Sequence, residues 1–423
     1  MLGRNKGNSR RNRRILTRPF FVLLCLALLG LYFMGVRFTK GIGAVSNLSD
    51  GYPWGIWVAY DVAIGTAITC GGYAVAVLLY IRNSWRFHPL IKSAILISLF
   101  GSCLAASSVI VDIGRPWNAY GFFVPTHSQP TSALFQLAIG MLGFLVAQCL
   151  EYFPGLLQLL EQGNRESLWH RLLSRVLIER SEHPAVPGRA LVRLNHLLIG
   201  VVAVGIILPT IHQSALGSLM LIASTKLHPI WHTAFLPLLF LINCIYLGYG
   251  MVVLESLVAS LVLERDYDTD ELAQLARLVP WLTGIWLMIR VGDLVQRDQV
   301  SAVFHGDFYS GFFLAEFFLL LVGAAPLFSG EYRRSPRWLF ISAALILLGG
   351  GLYRFNVYLI GFDPGAGWHY FPSFAEVMIP VGIVSLEVLG YQLLIKMLPE
   401  FPEYPAAQRE IERQAREALH CRR

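Results

Sequence analysis

Apolar residues occur along the chain in ten runs of about twenty, separated by shorter polar or turn-rich connections. Each run is long enough to cross the roughly 30 Å hydrocarbon core of a bilayer as a helix that rises about 1.5 Å per residue. The pattern therefore predicts an all-α integral membrane fold with about ten transmembrane helices. The predicted spans are 19–38, 54–81, 90–113, 132–153, 190–211, 233–262, 278–295, 309–328, 337–360 and 373–398.

The charge pattern predicts an orientation for these spans. Only 14% of the 423 residues are charged, and the net charge of +7 is concentrated in alternate connections. The basic residues on one side are Arg4, Lys6, Arg10, Arg11, Arg13, Arg14, Arg18, Arg82, Arg86, Lys92, Arg165, Arg171, Arg175, Arg180, Arg189, Arg333, Arg334 and Arg337. The first three connections on the other side carry only Lys40, Arg115 and Lys226. By the positive-inside rule, both termini are predicted to be cytoplasmic, in a bacterial inner membrane.

The chain divides into a basic cytoplasmic N-terminus (1–18), a transmembrane domain (19–398) and a cytoplasmic tail (399–423). We expect the first span to remain uncleaved, because no small-residue cleavage site follows it. The third span ends in VDIGRPW and the seventh in RVGDLVQRD, so both place Asp and Arg at the predicted outer face. Two four-helix bundles of like orientation plus flanking helices would produce this weak repeat. A chance match of two common residue types would also produce it.

The predicted outer connections are rich in glycine, proline and aromatic residues, as in DIGRPWNAYGFFVPTHSQP and GFDPGAGWHYFPSF. Such loops are compact rather than charged and extended. They suit either a docking surface for an extrinsic partner or ordinary capping at the lipid interface.

Ionisable residues within spans are costly and usually face a cavity or a partner. Stripes of small residues in the second and third spans carry the acids Asp61 and Asp112, and small residues alone would suffice for helix packing. An alternative for Asp112 is a pair with Arg115, about one turn away, that locks the bundle.

Depth separates the polar residues into two sets. Those toward the predicted outer face are Asp61, Asp112, Arg115, His212, Gln213, Arg290, Asp293, Glu316, Arg354, Asn356 and Glu376. Those toward the inner face are Glu151, His196, Glu255 and Glu387. The mixed charges and histidine of the outer set suit a polar, redox-active head group. The inner set is mostly acidic, as groups that take up cytoplasmic protons would be, so the split predicts a proton route to an outer site.

The six cysteines form no CxxC or CxxCH motif, so no iron–sulfur, zinc or c-type haem ligation is predicted. A b-type haem needs axial histidines at matching depth, and the candidate pairs are His212 with His232 and His88 with His196. Because no span carries two well-embedded histidines, we expect no haem and no metal in this chain.

Five stretches together resemble the NrfD/PsrC family of polysulfide-reductase membrane subunits, most closely its HybB-like branch. They are PWGIWVAYDVAIG, ASSVIVDIGRPWN, LPTIHQSALGSLM, HGDFYSG and GFDPGAGWHYFP. The resemblance covers about residues 17–399 and implies a subunit that binds menaquinone or ubiquinone near the outer face. It also implies electron exchange with a periplasmic ferredoxin-like iron–sulfur subunit, beyond which lies a hydrogenase, molybdopterin enzyme or multihaem cytochrome.

The resemblance also implies roles for individual positions. His212, Asp61, Asp112 and Arg115 would act on the quinone, while Trp54, Trp117, Gln213 and Ser214 would bind it and Gly217 would leave room for its ring. The buried charges Glu255, Arg290, Asp293, Arg354 and Glu387 match those of the family and, with Glu151, would carry protons. Gln136 stands where the HybB-like branch has a glutamate, and Ser102 replaces a tyrosine. Both changes argue against the hydrogenase as the only candidate partner.

The favoured hypothesis is therefore the quinone-reactive membrane subunit of a multisubunit respiratory oxidoreductase, inactive alone and with proton translocation as a further expectation. Two alternatives remain. A membrane anchor would assemble with partners and bind no quinone, whereas a secondary transporter would move substrate with no partner present.

Overall fold

The computed structural model describes residues 17–52, 54–71, 88–162, 188–263 and 269–397, and the side chains of 17–52, 54–71, 98–150, 200–201, 203–261 and 269–393. Ten helical segments dominate this part of the chain. They are α1 (Arg18–Lys40), α2 (56–71), α3 (His88–Asp112), α4 (Ala133–Gln162), α5 (Gly188–Ile222), α6 (Leu236–Leu263), α7 (Val279–Gln296), α8 (Phe308–Ala324), α9 (Pro336–Phe355) and α10 (Phe374–Met397).

Each predicted span overlaps one of these segments, although the second is described only as far as residue 71. Helices α4 and α5 run further than predicted, to Gln162 and Ile222, so that His212 lies within α5 rather than beyond its end. Within the described residues, eight helices are long and apolar enough to cross a membrane. The chain is an all-α, multi-pass integral membrane protein, as predicted. Two spans contain wide π-helical turns, Trp57–Gly65 in α2 and Asn356–Ile360 directly after α9.

The helices form two four-helix bundles with a flanking pair. In the first bundle α2 packs on α3, α3 on α4 and α4 on α5, and in the second α6 packs on α7 and α9, and α8 on α7 and α9. Helices α1 and α10 pack on each other, and α10 also contacts α2 and α3. The bundles join where α6 meets α3 and α5 and where α9 meets α2. This confirms the predicted architecture.

Glycine allows the bundles to approach closely at their centre. A Cβ atom built on Gly71 of α2 would overlap the backbone of Gly248 of α6, and the reverse holds as well. Any side chain at either position would force the two helices apart. The flanking pair uses the same device, with Gly30 of α1 against Gly382 of α10.

The end of the molecule where α1, α3, α5, α7 and α9 terminate is called the predicted outer end, and the opposite end the predicted inner end. After α3 the chain turns by 111° into the short helix Pro116–Phe123. The aromatic rings of Trp117, Tyr120 and Phe123 are between 62% and 70% exposed there. An aromatic segment that leaves a span at this angle suits the membrane interface.

Other connections at the predicted outer end are tied together. The backbone N–H of His228, between α5 and α6, donates to the carbonyl of Gly361, between α9 and α10, at 2.7 Å. The N–H of Asp363 returns a 2.7 Å bond to the carbonyl of Lys226. These bonds hold the ends of both bundles in one compact layer, as the turn-rich sequence predicts.

Candidate functional site

The interior of the first bundle contains a buried acid from α2. The Asp61 side chain is fully buried, and its Oδ2 accepts a 2.5 Å hydrogen bond from the hydroxyl of Ser108 on α3. This bond explains why the acidic and small-residue stripes of α2 and α3 face each other. The other carboxylate oxygen, Oδ1, is buried without a hydrogen-bond partner among the described residues.

His212 of α5 lies against α4 in the same bundle. Its Nδ1 is 2.8 Å from the backbone carbonyl oxygen of Leu137 on α4. Since a carbonyl oxygen only accepts hydrogen bonds, Nδ1 must carry a proton. In the neutral ring Nε2 then has a free lone pair, and it is buried with no partner in the described part of the chain.

Gln213, the next residue, faces α2. Its amide nitrogen donates to the hydroxyl of Thr66 at 3.0 Å and to the sulfur of Cys70 at 3.4 Å. Its carbonyl oxygen Oε1 is buried and unpartnered in the described structure. The His–Gln pair therefore bridges α4 and α2 from a single position on α5.

A series of unsatisfied polar atoms occupies the first bundle and its contact with α10. Within the described residues the buried atoms without a hydrogen-bond partner there include Asp61 Oδ1, Ser102 Oγ, Asp112 Oδ1, both amide atoms of Gln148, His212 Nε2, Gln213 Oε1 and Glu387 Oε1. An unsatisfied buried polar group costs about 1–3 kcal/mol, so such groups are rare in native proteins unless a ligand or water pairs with them. A comparable set lies in the second bundle, on Thr283, Arg290, Glu316, Ser342, Tyr353 and Asn356. The first bundle is the candidate site because its set includes a histidine nitrogen and carboxylate oxygens that can accept protons.

Arg354 lies where the two bundles meet. Its guanidinium donates to Asn243 Oδ1, to the carbonyl of Ala63 at 2.8 Å and to the carbonyl of Phe240 at 2.6 Å. The side chain is fully buried and stacks over the Phe240 ring at 4.5 Å. No carboxylate is bonded to it within the described residues, so the site has a buried positive charge held by dipoles.

The second bundle contains a buried ion pair. Arg290 Nη2 of α7 lies 3.7 Å from Glu316 Oε1 of α8, with both side chains fully buried. Glu316 Oε2 also accepts hydrogen bonds from Asn356 at 2.7 Å and from the Trp231 ring at 3.3 Å. The guanidinium of Arg290 lies 5.2 Å from the centre of the Phe313 ring. This arrangement ties α7, α8 and α9 to the connection that precedes α6.

Asp293, predicted to carry protons, forms a local contact instead. Its carboxylate pairs with Arg297 at 2.5 Å, one turn further along α7, and accepts from Thr233 at 2.7 Å. Arg297 also donates to the carbonyl of Pro229 at 2.8 Å. The pair therefore fixes the end of α7 to the connection between α5 and α6.

At the end of α3, the predicted Asp112–Arg115 pair is not formed in the described structure. Arg115 is exposed, and the carboxylate oxygen Oδ1 of Asp112 is buried without a partner. The nearby guanidinium is that of Arg37 from α1, which donates at 2.6 Å to the carbonyls of Val111 and Ile113 on either side of Asp112. The sequence spacing missed this contact because α1 meets α3 only in the folded chain.

Three positions expected to bind the quinone have other surroundings. A Cβ on Gly217 would lie 2.5 Å from the carbonyl oxygen of Leu236, so backbone fills the space predicted for a ring. Trp117 is 70% exposed on the interfacial segment. Ser214 is half-buried, next to the buried pair His212 and Gln213.

Trp54 is connected to α5 through one tyrosine. Its indole N–H donates to the carbonyl of Tyr358 at 3.0 Å, and the Tyr358 hydroxyl donates to the carbonyl of Leu216 at 2.9 Å. Trp54 thus supports the outer side of the first bundle. Sequence reasoning did not single out Tyr358, Asn243 or Gln148, because an isolated polar residue in an apolar run gives no distinctive pattern.

Two of the acids predicted to lie toward the inner face, Glu255 and Glu387, have different contacts. Glu255 of α6 accepts a hydrogen bond from the hydroxyl of Tyr391 on α10. Glu387, one turn before Tyr391 on α10, lies against Leu104 of α3. The side chain of Glu151 lies outside the described residues.

Comparison with known proteins places this arrangement in context. The family described as "Polysulphide reductase, NrfD" matches residues 44–362. The "Probable Ni/Fe-hydrogenase 2 b-type cytochrome subunit" of Escherichia coli (strain K12) is 35% identical, over 92% of this chain and 94% of that protein. The "Menaquinone reductase, integral membrane subunit" of Nitratidesulfovibrio vulgaris (strain Hildenborough) is 24% identical, over 88% of this chain and 89% of that protein.

One expectation is corrected by these comparisons. The Escherichia coli relative is named a b-type cytochrome subunit, which contradicts the prediction of a haem-free chain. That prediction is wrong because it required two histidines deep in facing spans. Nε2 atoms of His212 and His232 are buried without a hydrogen-bond partner in the described structure, so their donor chemistry fits an iron ligand.

Proposed function

The chain belongs to the NrfD family of membrane subunits of respiratory oxidoreductases, and from that premise we propose that its first bundle binds a quinone and exchanges electrons with an extrinsic partner. The observation that carries this proposal is that the unpartnered polar atoms of the first bundle include the proton acceptors His212 Nε2 and Asp61 Oδ1. A quinol offers two hydroxyl donors and a quinone two carbonyl acceptors, which such a set can pair. Menaquinone or ubiquinone is the substrate class.

The tautomer of His212 gives its role. With Nδ1–H donated to Leu137, the neutral ring accepts a hydrogen bond at Nε2, so it binds a quinol hydroxyl and can take its proton. In the reverse direction the imidazolium donates its Nε2 proton to a quinone carbonyl. Each quinol releases two protons and two electrons, the electrons passing to or from the partner.

The second proton requires another acceptor. Asp61 has one carboxylate oxygen bonded to Ser108 and one oxygen unpartnered in the described part of the chain. Gln148 and Ser102 of the first bundle and Glu387 of the flanking helix α10 add further buried atoms without a partner among the described residues. Buried waters make two to four hydrogen bonds to such groups, so a water-linked proton route from Glu387 toward Asp61 suits this lining.

The remaining residues position the site and its partner. Arg354 holds α2, α6 and α9 together beside the bundle. At the predicted outer end Trp117, Tyr120 and Phe123 present exposed rings to an extrinsic iron–sulfur subunit, with a catalytic subunit beyond it. The predicted outer end would then face the periplasm, with both termini in the cytoplasm and the chain in the inner membrane.

The Escherichia coli relative is named a b-type cytochrome subunit, so the haem content of this chain should be measured. Nε2 of His232 is the atom that would hold the iron, because Nε2 of His212 has a single lone pair, which this proposal assigns to the quinol. Haem would supply one-electron transfer when bound. A pyridine haemochrome assay on the purified complex measures it, and loss of the signal in His232→Ala but not in His212→Ala would assign the ligand.

Binding of a quinol-analogue inhibitor to the purified complex tests the proposed function. We expect tight binding in the wild type, a loss of about tenfold or more in His212→Ala, and unchanged binding in Thr210→Ala. Thr210 is an exposed residue on the same helix, and within the described residues its hydroxyl donates to the carbonyl of Ile206 alone. Equal binding in both variants would mean that the quinone site does not include His212.

The two alternatives predict different results in the same system. Assembly of the complex with no inhibitor binding in the wild type would identify an anchor and overturn the proposal. Substrate flux into liposomes that contain this chain alone would identify a transporter.

A further inference from the structure

The second bundle contains a buried polar cluster that the proposed quinone chemistry does not use. Its members are Arg290 of α7, Glu316 of α8, Tyr353 of α9 and Asn356 directly after α9, and all four side chains are fully buried. Asn356 donates a 2.7 Å hydrogen bond to Glu316, and the Arg290 guanidinium lies 5.7 Å from the centre of the Tyr353 ring. We call this group the Glu316 cluster, and it lies between three helices of the second bundle.

Every member of the Glu316 cluster has a buried polar atom without a hydrogen-bond partner in the described part of the chain. These atoms are Arg290 Nε and Nη2, Glu316 Oε1, the Tyr353 hydroxyl and Asn356 Oδ1. The set contains both donors and acceptors, so it can pair with a molecule that donates and accepts hydrogen bonds. Buried water is such a molecule, and it makes about three hydrogen bonds to otherwise unsatisfied polar groups.

The separation of Arg290 from Glu316 distinguishes a water site from a simple lock between helices. Arg290 Nη2 lies 3.7 Å from Glu316 Oε1, and neither atom has a hydrogen-bond partner among the described residues. A pair that only fastened two helices would form direct hydrogen bonds of about 2.7–2.9 Å. The other carboxyl oxygen, Oε2, is held by Asn356 and by the Trp231 ring at 3.3 Å. One oxygen is therefore fixed, and the other can gain or lose a proton.

Two hydroxyls continue the polar lining toward the predicted inner end. Thr283 lies seven residues before Arg290 on α7, and Ser342 lies eleven residues before Tyr353 on α9. These spacings are about two and three helical turns, so each hydroxyl is on the same helix face as the cluster. Both side chains are fully buried, and neither hydroxyl has a hydrogen-bond partner within the described residues. Water can follow these hydroxyls from the predicted inner end to Glu316.

We propose that Glu316 is a proton-exchanging acid that ordered water reaches from the predicted inner end. Water bridges Glu316 Oε1 to Arg290 and to the Tyr353 hydroxyl, and a proton passes from this water to Oε1 and back. The other charged and titratable groups whose charges act on the cluster are Asp293, Tyr246 and Arg354. The site is in the second bundle, so it does not depend on a quinone in the first.

Infrared spectroscopy of the purified complex, exchanged from H2O into D2O, tests this proposal. A protonated carboxyl group that water reaches takes up deuterium, and its C=O band then moves to lower frequency. We expect one such band to be absent in Glu316→Gln and present in Glu376→Gln. Glu376 is the matched control because it is equally buried, and its carboxylate already accepts hydrogen bonds from Tyr370, Asn47 and Ser373.

Two further variants test the water and its route. Tyr353→Phe removes one hydroxyl from the bridge, so the Glu316 band should remain but change in frequency. Thr283→Val keeps the shape of the side chain and removes its hydroxyl, so deuterium exchange at Glu316 should slow by about fivefold.

Each of these measurements can overturn the proposal. If Glu316→Gln lost no exchangeable band, Glu316 would not be the proton-exchanging acid. A Glu316 band that does not move in D2O would exclude water from the cluster. An unchanged band in Tyr353→Phe would exclude the water bridge, and unchanged exchange in Thr283→Val would exclude the route. Inhibitor binding measured on the same samples reports on the quinone site, so its absence in the wild type would overturn the proposed function alone.

Discussion

The hydroxyl of Ser108 lies 2.5 Å from Oδ2 of Asp61, and this bond joins α3 to α2 in the interior of the first bundle. It leaves the second carboxylate oxygen of Asp61 buried and without a partner among the described residues. One oxygen is thus held in position and the other is available to a proton or a ligand. This is the geometry expected of a positioned acid or base.

Replacement of Asp61 by asparagine should lower quinone-dependent turnover of the complex by about 10²-fold or more, because the amide keeps the shape but cannot accept a proton. Ser108→Ala should lower turnover less, since the carboxylate remains. Steady-state oxidation of a soluble quinol by the assembled complex measures both. Ser107→Ala is the control, since the hydroxyl of this half-buried neighbour donates to the carbonyl of Cys103 on its own helix and not to Asp61. Turnover equal to wild type in Asp61→Asn would exclude the acid from the reaction.

A substitution at Gly217 tests whether the space beside this residue serves helix packing or quinone binding. A Cβ at this position would meet the backbone of Leu236 and Pro237, so Gly217→Ala should destabilise the protein by about 1–3 kcal/mol through overpacking. Gly284 of α7 has nothing within 4 Å of its Cβ position, and Gly284→Ala should be neutral or stabilising by up to about 1 kcal/mol. Thermal unfolding in detergent compares the two. If Gly217→Ala were as stable as Gly284→Ala but bound the inhibitor more weakly, the space beside Gly217 would belong to the quinone ring and not to helix packing.

The contrast between the fold and the site shows what the sequence can predict. Runs of about twenty apolar residues specify spans because the bilayer fixes helix length, so the spans followed from pattern alone. The two bundles were indicated only by the similar endings of the third and seventh spans, which a chance match could also produce. Partners of polar residues depend on which helix faces meet, and this is decided by close contacts such as that of Gly71 with Gly248. Arg37 illustrates the limit, because its contact with α3 joins residues 74 and 76 positions apart.

Arg354 should be required for folding rather than for chemistry alone. Truncation to alanine leaves Asn243 Oδ1 and the carbonyl oxygens of Ala63 and Phe240 without their hydrogen-bond donor. Each buried acceptor left without a donor lowers the stability by about 1–3 kcal/mol. Arg354→Lys keeps the charge but cannot satisfy three acceptors in fixed directions, so it should recover only part of the stability. Yield of folded protein and melting temperature measure this, with exposed Arg115→Ala as the control. An Arg354→Ala variant that melts with the wild type would show that the acceptors find other donors.

The start of α8 provides a pH-dependent prediction outside the membrane. Asp307 caps this helix by accepting a 2.7 Å hydrogen bond from the backbone N–H of Ser310, and this bond, followed by the Ser310 side chain, lowers the pKa of Asp307 below its ordinary value. A folded-state pKa below the unfolded one means that the stabilisation is complete above about pH 4 and is lost as pH falls through the folded value.

Asp307→Ala should therefore melt below the wild type at pH 7, and the difference should shrink as the pH is lowered below about 4. Asp307→Ser keeps an uncharged capping oxygen, so its stability should lie between the two and should lack the acid-dependent loss. Melting temperatures of the three proteins from pH 3 to pH 7 measure this. A wild-type advantage over Asp307→Ala that persists unchanged at pH 3 would mean that the carboxylate charge does not stabilise the start of α8.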